Sequence, residues 1–146
     1  MARQPFFSLR IRRPPAVAEG EDGMGRNYGL TNTEMELMEL LWQADAPFSF
    51  RELMDHANEK WKKNWKKQTL NTYLANLQRM GLIGTDKESR HYLYYARCTR
   101  EELIRNWTRQ MVEECFDNSI SSLVAAFTGG KKLSEEEAEK LRQLIE

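Results

Sequence analysis

A stretch near the middle of the chain, about Lys67 to Met80, combines a leucine stripe with polar side chains at helical spacing. Leu70, Leu74 and Leu77 fall within about 60° of one another at 100° per residue, which predicts a buried face. Amides, a threonine methyl and a guanidinium are groups that contact base edges in the major groove, and a small alanine permits close approach. The opposite face offers these groups at Gln68, Thr72, Ala75 and Arg79, flanked by Asn71 and Asn76.

Positive charge is concentrated just before this helix. The whole chain has 22 basic and 22 acidic residues, yet the stretch from Lys60 to Thr85 contains six cations and no acid. Lysines at a helix start can hold phosphates together with the first-turn amides. A charge run alone is also typical of a solvated face, but its place before a polar helix favours nucleic acid. The predicted DNA-binding residues are Lys66, Lys67, Gln68, Thr69, Asn71, Thr72, Ala75, Asn76, Arg79, Arg90 and His91.

Other function classes find little support in the sequence. The two histidines, His56 and His91, lie near no nucleophile or paired carboxylates in a recognisable spacing, so we expect no catalytic residues and no enzyme. Cys98 and Cys115 form no CxxC pair and are expected to be free thiols, with no metal site and no cofactor. No apolar run approaches the ~20 residues that span a bilayer, so we expect a cytoplasmic protein without membrane insertion.

The remaining helix-capping, turn and strand signals predict a mainly α fold with a small β wing. Capping boxes at Thr31–Glu34 and Ser49–Glu52 open two helices, and the polar helix follows a turn bracketed by Trp61 and Trp65, interpreted as packing residues. Two runs of period 2, residues 82–85 and 92–95, then predict a hairpin. Helix–helix–helix–hairpin is the order of a winged helix-turn-helix domain, predicted here over residues 30–98. Tyr92, Tyr94 and Tyr95 are interpreted as packing within or supporting the wing.

The two ends of the chain differ in character. Residues 1–29 are rich in proline, glycine and arginine and are expected to be a disordered tail, with a targeting peptide or a natural start at Met24 as alternatives. Residues 99–146 predict amphipathic helices whose apolar stripe needs a partner, and a second copy of the chain is the economical one. The predicted homodimer interface consists of Leu103, Trp107, Met111, Leu123, Val124, Phe127, Leu141 and Ile145.

Several of these segments resemble the penicillinase and methicillin-resistance repressors, the BlaI/MecI family. Residues 30–42, LTNTEMELMELLW, are similar to the family's opening helix, and residues 67–77, KQTLNTYLANL, resemble its recognition helix. Met80-Gly81-Leu82-Ile83 and residues 90–95 match the exit of that helix and the wing. The dimerisation tail is matched by residues 122–127 and by the spacing of Leu133, Glu137, Leu141 and Ile145.

The resemblance implies a repressor that binds a palindromic operator in double-stranded DNA as a homodimer. It further implies a membrane-bound sensor protease as a partner that triggers cleavage, here at the bond between Ala126 and Phe127. The chain departs from the family in having Lys66-Lys67 where Ser-Pro is frequent, Asn76 where arginine is usual, and Ala126 where asparagine typically precedes the cleaved bond. It also lacks the paired CxC motifs of the copper-sensing branch. A winged helix that binds protein rather than DNA is the alternative.

Overall fold

The computed structural model describes residues 27–88 and 91–146, and the chain divides into two compact units. The first extends to Trp107 and the second comprises Thr108–Glu146. Most of the predicted tail, residues 1–26, and Arg90 of the predicted DNA-binding set lie outside the described residues. Within the described part of the chain, no helix has both the length and the apolar composition needed to cross a membrane.

The first unit begins with two helices, each opened by a capping box as predicted. Helix α1 spans Asn32–Gln43, and the Thr31 hydroxyl accepts from the Glu34 amide while the Glu34 carboxylate accepts from the Thr31 amide. Strand β1 is Phe48–Ser49, and helix α2, Phe50–Asp55, repeats the box with Ser49 and Glu52. These reciprocal bonds satisfy amides that a helix start leaves unpaired. The chain continues directly from α2 into a π-helical turn, His56–Lys60.

The third helix and the hairpin complete the winged helix-turn-helix arrangement. Helix α3 spans Lys67–Arg79 and is terminated by Gly81. The φ of +78° at this glycine allows the Leu82 amide to donate back to the Leu77 carbonyl at 3.0 Å. Strands β2, Ile83–Glu88, and β3, His91–Ala96, pair antiparallel, and the sheet order is β1-β3-β2. The fold class predicted from the sequence is therefore confirmed.

The hairpin contains one position at which a side chain larger than glycine would collide. A Cβ added to Gly84 would lie 2.6 Å from the hydroxyl oxygen of Tyr95, its cross-strand partner. The Tyr95 ring thus lies directly over the glycine backbone. This close approach accounts for the presence of a glycine in the interior of the strand.

The core of the first unit extends beyond the predicted domain boundary at Cys98. Helix α4, Arg100–Phe116, begins with a third capping box, in which Thr99 and Glu102 exchange bonds of 3.0 and 3.1 Å. Leu103, in its first turn, is fully buried in the same cluster as the leucines of α1, α2 and α3. The first unit accordingly includes the start of α4, about nine residues past the predicted boundary.

The second unit contains the rest of α4 and two further helices. Helix α5 spans Ile120–Thr128 and helix α6 spans Glu135–Ile145, with Ser119 and Ser134 as their N-caps. Neither helix has a buried residue. Their apolar side chains are exposed instead, with Phe127, Leu144 and Ile145 each more than four-fifths accessible. Helices that are amphipathic but bury nothing leave their apolar stripe for another surface to cover.

Candidate nucleic-acid interface

Helix α3 has the two faces that the sequence predicts. Leu70, Leu74 and Leu77 are buried, with at most 2% of each side chain accessible. Among the predicted DNA-binding residues, Thr69 and Asn76 are half-buried at the edges of the helix. The exposed ones are Lys66, Lys67, Gln68, Asn71, Thr72, Ala75 and Arg79 on or before α3, together with His91 on β3. The helix thus presents a continuous polar face that is anchored from behind by leucines.

Thr72 is oriented by a bond within its own helix. Its hydroxyl donates to the Gln68 carbonyl oxygen, one turn earlier, at 2.9 Å. The hydroxyl hydrogen is therefore used internally, and the side chain offers its methyl group and an oxygen lone pair to a ligand. A methyl group is what contacts thymine in the major groove.

The start of α3 suits an anion. The N-cap residue, Lys66, makes no side-chain capping bond, and the first turn contains no acidic residue. The amides of Thr69 and Leu70 already donate to the Lys66 carbonyl, at 3.0 and 3.4 Å. The positive end of the helix dipole and two lysines, Lys66 and Lys67, consequently occur at one place, which favours an anion over a cation.

One of the six cations has a structural partner. The Lys63 ammonium lies 3.3 Å from the Glu36 carboxylate of α1, and both side chains are about one-third accessible. This ion pair connects the segment before α3 to the first helix. Lys60, Lys62, Lys66, Lys67 and Arg79 are exposed on the same stretch of chain. The positive charge of the stretch thus remains largely on the surface, although Lys63 contributes less of it.

Aromatic rings pack in series behind this basic segment. The centroids of Trp65 and Tyr73 are 5.2 Å apart, those of Trp61 and Trp65 are 6.4 Å apart, and His56 meets Trp61 edge-on at 5.0 Å. Both tryptophans pack against the core cluster, in agreement with the interpretation that they bracket the turn. The rings connect the π-helical turn to α3, so that the basic segment rests on a packed support.

The wing adds polar and aromatic groups near His91. Tyr94 and Tyr95 are half-buried, as expected for residues that support the wing, but Tyr92 is 54% accessible. The Lys87 ammonium lies 6.0 Å from the Tyr92 ring, its cross-strand partner, at the outer limit of a cation–π contact. Burial, reinforced by the neighbouring Tyr92 phenol, raises the pKa of Tyr94, so its hydroxyl is neutral at physiological pH.

Sequence reasoning missed Lys87, because its place opposite Tyr92 depends on the hairpin register. The period-2 pattern predicts a hairpin but does not say which residues of the two strands face one another. The structure pairs Lys87 with Tyr92 and Glu88 with His91. A prediction of the register would have placed Lys87 beside His91 at the tip of the wing.

The predicted dimerisation residues fall into three groups according to their exposure. Leu103 was wrongly placed at an interface: it is fully buried in the core of its own chain and has no surface left for a partner. Trp107 is half-buried and meets Tyr28 edge-on, with centroids 5.8 Å apart. Phe127 and Ile145 are 84% and 82% accessible. The others, Met111, Leu123, Val124 and Leu141, are half-buried. The apolar surface that needs covering is thus concentrated in α5 and α6.

The bond between Ala126 and Phe127 lies in the last turn of α5. Both residues are exposed, and the helix ends at Gly129 and Gly130, with φ of +62° and +84°. A Cβ at either glycine would meet nothing within 4 Å. A protease cleaves extended chain, so this turn would have to unwind first, and a short helix without buried residues opens at little cost.

Both cysteines are free thiols, as predicted, but they lie in different environments. Cys98 is buried, and burial, followed by the negative charge of Glu102, raises the pKa of its thiol to about 12 despite the opposing effect of Arg97. Cys115 is exposed. Across residues 27–88 and 91–146, three or more histidine, cysteine or acidic residues nowhere group in a way that could hold a metal ion.

Comparison with known proteins identifies relatives of this chain. A family model described as "Penicillinase repressor" matches residues 30–146. The chain is 23% identical over 123 residues to the methicillin resistance regulatory protein MecI of Staphylococcus aureus strain N315, covering 82% of this chain and 95% of that protein. It is 22% identical over 117 residues to the penicillinase repressor of Bacillus licheniformis, covering 80% and 89% of the two chains.

Proposed function

Since this chain belongs to the penicillinase repressor family, we propose that it is a transcriptional repressor that binds a palindromic operator in double-stranded DNA as a homodimer. The observation that carries this proposal is the exposed polar face of α3, with an uncapped, doubly basic start. In a winged helix-turn-helix, that helix enters the major groove. The coverage of nearly the whole of the curated relatives, 95% and 89%, supports the same conclusion.

The two ends of α3 have different roles in this proposal. Lys66 and Lys67 neutralise phosphates at the helix start and fix the position of the helix on the duplex. Further along, Gln68, Thr72 and Arg79 contact base edges, while Ala75 lets the backbone approach the groove floor. His91 and Lys87, at the wing, contact the sugar-phosphate backbone next to the groove. Asn76, half-buried at the edge of the helix, would reach only the flank of the site.

A dimer follows from the second unit and from the symmetry of a palindrome. The apolar residues of α5 and α6 that are most exposed, Ile120, Phe127, Leu144 and Ile145, form the surface proposed to meet a second copy. Two identical DNA-binding domains bind two half-sites related by the same twofold axis. Linking the two domains raises the overall affinity by roughly 10²–10⁴. Loss of the arm therefore turns the repressor off without changing its DNA-binding face.

We further propose that induction acts through the arm. Cleavage between Ala126 and Phe127 by a membrane-bound sensor protease would remove Phe127 and α6, the most exposed apolar side chains of the second unit. In a single chain the last turn of α5 is exposed and two glycines follow it, so a protease would reach this bond while the arms of the dimer are apart. Ala126 occupies the position before the cleaved bond, so that a protease acting here must accept alanine.

Selection from a random library of duplexes tests the proposal. Purified full-length protein is incubated with 40-base-pair random duplexes, and bound molecules are recovered and sequenced over several rounds. We expect an inverted repeat whose half-site centres are about one helical turn apart, or a multiple of it. Enrichment of a single unpaired half-site would contradict the dimer, and no enrichment above that of unselected duplex would contradict sequence-specific binding.

A further inference from the structure

The segment between the π-helical turn and α3 adopts an uncommon backbone conformation. Lys62 and Asn64 have φ of +57° and +58°, in the left-handed region. Non-glycine residues remain in this region where surrounding contacts hold them there. The segment also ends at Lys66, an N-cap without a side-chain capping bond. Because no cap fixes the first turn of α3, another contact must determine where the helix begins.

That contact is made by the side chain of Asn58. Its Nδ2 donates to the Trp65 carbonyl oxygen at 3.1 Å, and its Oδ1 accepts from the Trp65 amide at 2.5 Å. One side-chain amide thus bonds both polar backbone groups of one residue, in the way that a neighbouring strand would. The π-helical turn that contains Asn58 is closed onto the same segment by a bond of 3.0 Å from the Lys63 amide to the Ala57 carbonyl.

Aromatic packing connects Trp65, whose backbone is bonded by Asn58, to α3. Trp65 directly precedes the N-cap, and its ring lies 5.2 Å from that of Tyr73, on the second turn of the helix. The backbone of Trp65 is held by Asn58 and its ring by the helix, so the position of the first turn is defined at both sides. From Leu70 onward the helix is anchored separately, because Leu70, Leu74 and Leu77 are buried in the core. The contacts of Trp65 therefore act on the residues that precede Leu70.

We propose that Asn58 is a positioning residue for DNA recognition: by holding the Trp65 backbone, it sets where α3 begins and so presents Lys67 and Gln68 to the duplex. The consequence for DNA binding rests on the proposed function, whereas the role of Asn58 in fixing the start of α3 does not. The effect of Asn58 decreases along α3. Arg79, in the last turn, is positioned without it.

Hydrogen exchange without DNA tests the structural content. In Asn58→Ala, the amides of Thr69 and Leu70, which donate to the Lys66 carbonyl, are expected to exchange at least about tenfold faster because the first turn opens locally. Those of Leu77 and Met80 should keep their rates. Asn58→Asp, which keeps the acceptor but loses the donor, should fall between wild type and Asn58→Ala. Glu59→Gln, an exposed neighbour in the same turn, is the matched control. Unchanged exchange at Thr69 and Leu70, or equal acceleration throughout the domain, would overturn the proposal.

Double-mutant cycles on the selected operator test the consequence for recognition. Asn58→Ala alone should weaken operator binding about tenfold, comparable to the loss of one base contact. It should be non-additive with Gln68→Ala, since a mispositioned Gln68 has already lost its contact, and additive with Arg79→Ala. Equal coupling to Gln68 and Arg79 would overturn the positioning role, because a generally weakened domain affects both alike. If the wild-type chain bound no duplex, the proposed function would fail, while the exchange result would still decide whether Asn58 fixes the start of α3.

Discussion

The indole Nε1 of Trp42, near the end of α1, donates to the carbonyl oxygen of Cys98 at 2.6 Å, across 56 residues of chain. Arg100 continues this connection: its guanidinium lies 4.9 Å from the Trp42 ring centroid and 3.2 Å from the Glu39 carboxylate. The segment that enters α4 is thus joined to α1 by a hydrogen bond, a cation–π contact and an ion pair. The start of α4 is part of the winged helix and not merely a linker to the arm.

We expect a fragment of residues 24–107 to fold cooperatively and a fragment of residues 24–98 to be markedly less stable. The shorter fragment lacks Leu103, whose side chain is fully buried, and therefore exposes the core residues that Leu103 covers. In the full chain, Leu103→Ala should lower the free energy of unfolding by about 2–5 kcal/mol. Arg105→Ala, at an exposed position of the same helix, should change it by no more than about 0.5 kcal/mol. Urea unfolding followed by circular dichroism measures both; equal stability of the two fragments would place Leu103 outside the core.

The two cysteines should differ sharply in reactivity. At pH 8, a thiol reagent such as dithionitrobenzoate should modify one thiol of the native chain, Cys115, and two in guanidinium chloride, because Cys98 is buried with its pKa raised to about 12. Cys115→Ser should remove the fast reaction. Rapid modification of both thiols in the native protein would show that the segment around Cys98 is open.

The same thiol makes stability fall at alkaline pH. The Cys98 pKa is raised from 9.0 to about 12 in the folded chain, so between those values the unfolded chain releases a proton that the folded chain retains. The unfolded state is then favoured increasingly, and the contribution of Cys98 to stability is lost as pH rises through this window. Denaturation at pH 8, 10 and 11 should show a steeper decline for wild type than for Cys98→Ala. Parallel declines in the two proteins would contradict the assignment.

The arm should carry the dimer. Phe127→Asp places a charge on the most exposed apolar side chain of α5 and should convert a dimer into a monomer at micromolar concentration. Ser122→Asp adds the same charge on the opposite side of α5 and should leave the dimer intact. Light scattering distinguishes the masses. A wild-type monomer, or a dimer that survives Phe127→Asp, would remove the arm from the interface.

A chain ending at Ala126 should behave as the cleaved repressor. It keeps the whole DNA-binding unit, so its thermal transition by circular dichroism should still contain the unfolding of residues 27–107. Its operator affinity should fall by roughly 10²–10⁴, because the second half-site contact is no longer intramolecular. Retention of full affinity by this chain would rule out loss of the arm as the means of induction.

The sequence predicts those features that depend on local pattern. The capping boxes at Thr31 and Ser49, the leucine face of α3 and the stop at Gly81 are each encoded within a few residues, and the structure has all of them. Base-reading candidates could be selected because a helix with one leucine stripe has only one opposite face.

Features that depend on contacts between distant residues could not be predicted in this way. Leu103 has the same spacing as the arm stripe, yet its place in the core is decided by Trp42 and Arg100 holding the start of α4 against α1. The chain has Lys66-Lys67 before α3, where Ser-Pro is frequent in the family. The bonds from Asn58 to the Trp65 backbone come from a π-helical turn, which a 3.6-residue period does not predict.

If α3 contacts bases while its basic start binds phosphates, substitutions at two adjacent residues, Gln68 and Lys67, should have different effects on DNA binding. The measurement is the affinity of wild type, Gln68→Ala and Lys67→Ala for the selected operator and for a scrambled duplex, each at four salt concentrations. Gln68→Ala should lose about tenfold on the operator, little on the scrambled duplex, and keep the wild-type salt slope. Lys67→Ala should weaken both and flatten the slope by about one unit, as expected for one phosphate contact. Equal losses of specificity in the two variants would contradict this division of roles, and binding without salt dependence would contradict DNA as the ligand of this face.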